Sequence, residues 1–234
     1  MNKLICFTFA GGTASFFDEI ERDLLPASIE VIKPEYAGHG ARHKEKQYDN
    51  FSALADDMFA SIKGQLTGGE YSLFGYSMGA ITLIEVLKRI LASSELPQPK
   101  HVFIAAHEPH TKKELLSFTP NELDEWVKRR TISFGTVPEK LIDNKTFWRM
   151  YLPLYRHDYT MLAGYDFNDL HLKTKIPATI FYSETDTPLD EMRLWGKYFV
   201  DRIEYYKYEG QHFFIQQHHE EMAGAIMEAL NDKF

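Results

Sequence analysis

The sequence predicts an α/β protein with an open, mainly parallel sheet and crossover helices, and three observations carry that reading. Short apolar runs alternate with longer helical patterns along the chain. Runs such as SLFGY and VFIAA are apolar almost throughout, as strands covered on both faces must be. The 234 residues, 44% hydrophobic and 26% charged, are enough for one large domain with its own core.

The elements follow in chain order. LICFTFA reads as the first strand, because its apolar run is too short for a secretory leader and Gly11-Gly12 interrupts it. FFDEIERDLL is then a helix, IEVIKPEY a strand and FSALADDMFASIKGQL a helix. YSLFGYS and HVFIAAH are strands on either side of the helix MGAITLIEVLKRILA. From about 111 to 172 the rhythm breaks, with several helical patches and no convincing strand. This predicts an all-helical insertion, a lid over a pocket. Thr119-Pro120-Asn121-Glu122 marks a helix start within it, with a threonine cap, proline in the first turn and glutamate three residues after the cap. Its apolar residues, among them Leu115, Leu116, Trp126, Phe134, Trp148 and Met150, are expected mostly to form a core of its own. PATIFYSETD, a helix near 188 to 200, the strand IEYYKYEG and a last helix at 216 to 231 complete the pattern.

Composition excludes some functions. A net charge of −8 argues against non-specific nucleic-acid binding. No stretch reaches the roughly 18 apolar residues of a membrane span, so no membrane partner and a cytoplasmic location are expected. The single cysteine, Cys6, cannot form an internal disulfide and reads as a small buried hydrophobe.

Chemistry concentrates at Gly75-Tyr76-Ser77-Met78-Gly79. The serine stands where a strand ends and a helix begins, and the glycines let the backbone turn sharply there. That turn lifts the hydroxyl off the sheet edge, while the following helix aims unpaired amides at the same place. A serine needs a base, and the base an orienting acid, in the chain order serine, acid, histidine. Among the histidines after Ser77, His212 follows the last strand pattern, where a loop can carry it over the sheet edge. His218 and His219 fall inside the last helix and are expected to face solvent. Asp186 follows PATIFYS and is the acid, with Glu108, Glu184 and Asp190 as alternatives. The paired glycines of Phe9-Ala10-Gly11-Gly12 let the backbone approach a reacting carbonyl, so the N–H groups of Ala10 and Met78 are the expected oxyanion donors. The triad needs no metal or cofactor.

CFTFAGGTASFF, PEYAGHGAR, LFGYSMGA, ISFGTVP, LPLYRHDYTMLAGYDF, IPATIFYSETDTP and EGQHFFI run through nearly the whole chain. In these motifs the chain resembles the type II thioesterases, editing hydrolases associated with nonribosomal peptide and polyketide synthetases. It departs from them at Thr8-Phe9 and at Ala37, where the family usually carries proline. The resemblance implies an α/β-hydrolase fold, a triad of Ser77, Asp186 and His212, and a lid in the helical segment. It also implies acyl or aminoacyl thioesters on the phosphopantetheine arms of carrier domains as substrates. Lys112, Lys113, Arg129, Arg130 and Arg156 then offer local complementarity to an acidic carrier. A general carboxylesterase and a non-catalytic binding partner are the alternatives on the same fold.

Overall fold

The computed structural model describes residues 2–110, 113–135 and 137–231. Its sheet has six strands: β1 (Asn2–Phe7), β2 (Ile29–Ile32), β3 (Tyr71–Tyr76), β4 (Val102–Ala105), β5 (Ala178–Tyr182) and β6 (Ile203–Lys207). Their order is β2-β1-β3-β4-β5-β6, and every pairing is parallel. β2 is shorter than IEVIKPEY suggests, because Pro34 has no N–H to offer a ladder.

Helices cover both faces, which is why the strands are apolar throughout. α1 (Asp18–Leu24), α2 (Phe51–Ile62) and α3 (Met78–Ala92) follow β1, β2 and β3. Alternate β1 residues separate two cores. Ile5 and Phe7 face α2 and α3, whereas Leu4 and Cys6 face α1 and the C-terminal helix. Cys6 is buried as expected, and burial pushes its thiol pKa well up.

Between β4 and β5 the described residues contain helices and no named strand: α4 (Pro120–Ser133), α5 (Glu139–Ile142) and α6 (Lys145–Gly164). Thr119 caps α4 in a full capping box with Glu122. Leu115, Leu123, Val127, Trp148, Leu152 and Ala163 form a separate small core. Leu116 and Met150 do not join it; both are exposed, on the outward side of their segments.

The expected helix near 188 to 200 is broken. α7 (Leu189–Met192) tightens into a 3-10 turn over Arg193–Lys197. There the buried indole of Trp195 donates to His107 O at 2.8 Å. The last helix, α8 (Ile215–Asn231), is kinked at His218. His218 and His219 are half-buried rather than solvent-facing, because α8 packs on α1 at His219 and on the loop after β6 at His218. His219 Nδ1 lies 2.6 Å from Asp23 Oδ2, and His218 Nε2 lies 3.1 Å from Glu209 O. No helix among the described residues is long and apolar enough to cross a membrane.

Candidate active site

A parallel sheet delivers every strand's carboxyl end to one edge, and the chain places its reactive groups there. Ser77 follows β3 with φ 53° and ψ −120°, a conformation a non-glycine residue holds only under local constraint. Its N–H donates to Ala105 O at 2.8 Å and its carbonyl accepts from Ala80 N at 2.9 Å. The turn is thus tied to β4 behind and to α3 ahead.

The flanking glycines are required by close approach. A Cβ on Gly79 would lie 1.9 Å from Phe7 O, and one on Gly75 would lie 2.4 Å from Gly79 O. Gly79→Ala must therefore push α3 away from β1. The expected outcome is a thermal midpoint lower by about 5 °C together with loss of most hydrolysis. Thermal unfolding followed by circular dichroism, beside an aryl thioester assay, checks both effects. An unchanged midpoint would mean the contact is relieved cheaply.

His212 comes from the loop after β6. Its Nε2 lies 2.9 Å from Ser77 Oγ, and its Nδ1 lies 2.8 Å from Asp186 Oδ2. A carboxylate only accepts, so Nδ1 carries the proton and Nε2 is left to accept from the serine. The ring is held from behind, where Tyr76 Oη donates to His212 O at 2.6 Å. The two loops are also tied together, since Ser183 Oγ and Thr185 Oγ1 donate to Gly210 O at 2.5 and 2.6 Å. The His212 and Asp186 side chains are almost wholly buried.

The alternative acids do not hold the imidazole. Asp190 is solvent-exposed and pairs with Arg193, Glu184 is exposed, and Glu108 is buried beside His107. Among the described residues neither Ala10 N–H nor Met78 N–H has an intramolecular acceptor. Ala10 and Ser77 line one cavity of about 270 Å³, and Met78 begins α3 beside it. The cavity is walled by Phe134, Phe147, Tyr151, Tyr155 and Tyr159 from the β4–β5 segment. A larger surface cleft, about 900 Å³ between α2 and α6, contains neither Ser77 nor His212.

Several contacts escape sequence reasoning. Phe134 stacks on His212, with ring centroids 4.1 Å apart and planes at 16°. Arg130 lies over the same phenyl ring at 4.6 Å and 3.9 Å from Asp186 Oδ1. Arg130 is therefore turned inward. Arg156 pairs with Asp124, and Lys113 with Asp166, so most of the expected basic patch is engaged locally. Arg129 is exposed, and Lys112 lies outside the described residues. Sequence spacing carries no signal for the phenyl ring over the imidazole.

The sheet order, the strained serine between β3 and α3, and the hydrogen-bonded Ser77, His212 and Asp186 at the carboxyl edge are those of an α/β-hydrolase. The thioesterase domain matches over residues 2–234, and the chain belongs to that family. A similar curated protein is linear gramicidin dehydrogenase LgrE of Brevibacillus parabrevis, 26% identical over 97% of this chain and 87% of that one. Among solved structures, the type II thioesterase BorB from the borrelidin biosynthetic cluster superposes with a TM-score of 0.82. It is 25% identical and covers 98% of this chain and 93% of its own. ClbQ from the colibactin NRPS/PKS pathway gives a TM-score of 0.84 at 23% identity, over 98% of this chain and 96% of its own, which is a likeness of fold.

Proposed function

We propose that this chain is an editing thioesterase of nonribosomal peptide or polyketide biosynthesis. It hydrolyses acyl or aminoacyl groups from the phosphopantetheine arms of carrier domains. The observation that carries this reading is the Ser77–His212–Asp186 relay opening into an aromatic cavity. The family match and the likeness to BorB support the substrate class.

In the first step Ser77 Oγ attacks the thioester carbonyl while His212 Nε2 takes its proton. Asp186 stabilises the resulting imidazolium. The N–H groups of Ala10 and Met78 receive the oxyanion, each lowering the barrier by roughly 3 kcal/mol. The thiol then leaves with the proton from His212. Water, activated by the same imidazole, hydrolyses acyl-Ser77 and restores the serine. The chain forms one α/β-hydrolase domain, and residues 111 to 172 act as its lid. In that role Phe134, Tyr151 and Tyr155 bound the acyl group.

Acyl-loaded carrier domains, offered beside the same acyl group on N-acetylcysteamine and as a free ester, test the proposal. A carrier substrate is expected to exceed the minimal thiol by at least about tenfold in kcat/KM, through contacts remote from the reacting carbon. Preference for the free ester would make the protein a general carboxylesterase. No turnover of any of them would leave a binding partner without catalysis.

A further inference from the structure

Asp158 lies on α6, buried to 1% exposure, over the loop that follows β1. Its Oδ2 accepts the Gly11 N–H at 2.7 Å and lies 2.8 Å from His39 Nε2. Its Oδ1 lies 3.2 Å from His157 Nδ1. The remaining ring nitrogens meet carbonyls, His39 Nδ1 at 3.1 Å from Ala37 O and His157 Nε2 at 2.8 Å from Tyr48 O. Carbonyl and carboxylate oxygens only accept, so these contacts call for a proton on all four nitrogens. The arrangement is a buried carboxylate between two imidazole rings, both placed to favour the protonated form.

This cluster joins three separate pieces of chain: the loop after β1, the loop after β2, and α6. Gly11 has φ 74°, and a Cβ there would fall 2.2 Å from the Tyr155 ring, so α6 rests directly on the loop backbone. Ala10 is the adjacent residue. A shift of α6 away from the sheet would take the acceptor from Gly11 and free the Ala10–Gly11 peptide. Ala10, whose own N–H lies in the preceding Phe9–Ala10 peptide, would then be held on its other side by the Gly12 N–H donating to Phe9 O at 2.9 Å.

We propose that Asp158, held by His39 and His157, is a positioning residue that fixes the oxyanion loop only while α6 is seated on it. Its role is to couple the seating of the helical segment to the aim of the Ala10 N–H. The inference rests on the proposed assignment of Ala10 as an oxyanion donor.

The charges follow the geometry. Burial opposes the Asp158 carboxylate, but hydrogen bonds from His157, His39 and Gly11 outweigh it and hold the pKa below the ordinary range. Burial also opposes a charge on His39, yet the Asp158 hydrogen bond and charge raise its pKa. The hydrogen bond to Asp158 raises that of His157. Raised imidazole values stabilise the cluster fully below about pH 6.5, and that stability is lost as pH rises through them. The depressed carboxyl contributes above about pH 3.9, and its contribution is lost as pH falls through its own value. The anchor therefore loosens on the alkaline side. Facing it are Glu35 and Tyr36 beside His39, Tyr48 with its partners Asp57 and Arg42, and Tyr155 and Tyr159 on α6.

Kinetics of the full chain on a short acyl N-acetylcysteamine thioester test this. Asp158→Ala, folded by circular dichroism, is expected to lower kcat by about 10- to 100-fold with little change in KM, as a misaimed donor would. Asp158→Asn keeps an acceptor for Gly11. It should restore most of kcat below neutral pH and move the alkaline decline to lower pH, since the charge that raises the imidazoles is gone. Should Asp158→Ala not fold, His39→Ala reads the same loss in kcat. Near-normal kcat in a folded Asp158→Ala or His39→Ala protein overturns the inference, as does an effect on KM alone or equal losses in Ala and Asn. Phosphonylation of Ser77 by a fluorophosphonate separates the two readings. If Ser77 reacts in wild type and equally fast in the Asp158 variants, the coupling fails alone. If Ser77 does not react in wild type, the catalytic assignment fails first.

Discussion

Ser77→Ala is expected to leave a folded protein whose thioester hydrolysis is reduced on the order of 10⁴-fold or more. The hydroxyl lies 2.9 Å from His212 Nε2 and is that nitrogen's hydrogen-bond partner among the described residues. His212→Ala should cost about as much, and the double variant little more than either alone, because nucleophile and base act as one unit. Steady-state assays on a purified acyl-carrier substrate, with circular dichroism as the control for folding, decide it. Turnover near the original rate in Ser77→Ala would end the serine mechanism.

Asp186→Asn is expected to cost on the order of 10³- to 10⁴-fold in kcat while substrate binding persists. An amide at this position can present its NH₂ to His212 Nδ1 and so select the wrong tautomer, and it removes the anion beside a developing imidazolium. Glu108→Gln and Asp190→Asn serve as comparisons and should be mild, since the structure places neither carboxylate on the imidazole. A nearly silent Asp186→Asn beside a severe Glu108→Gln would reassign the acid. The chain order of serine, acid and histidine would still hold.

The sheet, the elbow and the three side chains that the structure brings into one hydrogen-bonded row were legible because each depends on local pattern. Ser77 is announced by its own glycines. Asp186 and His212 each follow a strand in a parallel sheet, and that alone puts them at the same edge. The proposed oxyanion donors, Ala10 and Met78, come from the same kind of signal, as residues adjoining glycine-bearing turns. What escaped depends on distant pairs. Nothing near residue 39 announces a carboxylate at 158, and nothing near Phe134 announces an imidazole at 212. His218 and His219 were misread because helical charge patterning marks a polar face without showing what packs on it. Leu116 and Met150 fall outside the core expected for most of that segment, since hydrophobicity does not force burial in a segment too small to cover every apolar group. Lys113 and Arg156 pair within their own segment and Arg130 reaches Asp186 outside it, choices fixed by helix packing and invisible in charge counts.

The wholly parallel sheet has a further consequence, in time rather than in space. No strand can meet its neighbour through a tight turn, and residue 102 finds residue 178 only after the intervening chain has been ordered or bypassed. Such non-local pairings carry a large loop-closure entropy and slow the search for the native topology. β1, β3 and β4, which frame Ser77, can come together from the first half of the chain, whereas Asp186 and His212 arrive with β5 and β6. Ser77 is therefore framed by strands from the first half of the chain, whereas its two partners in the proposed triad come with the last two strands. On the proposed triad, the site is completed by the same late docking event that completes the sheet.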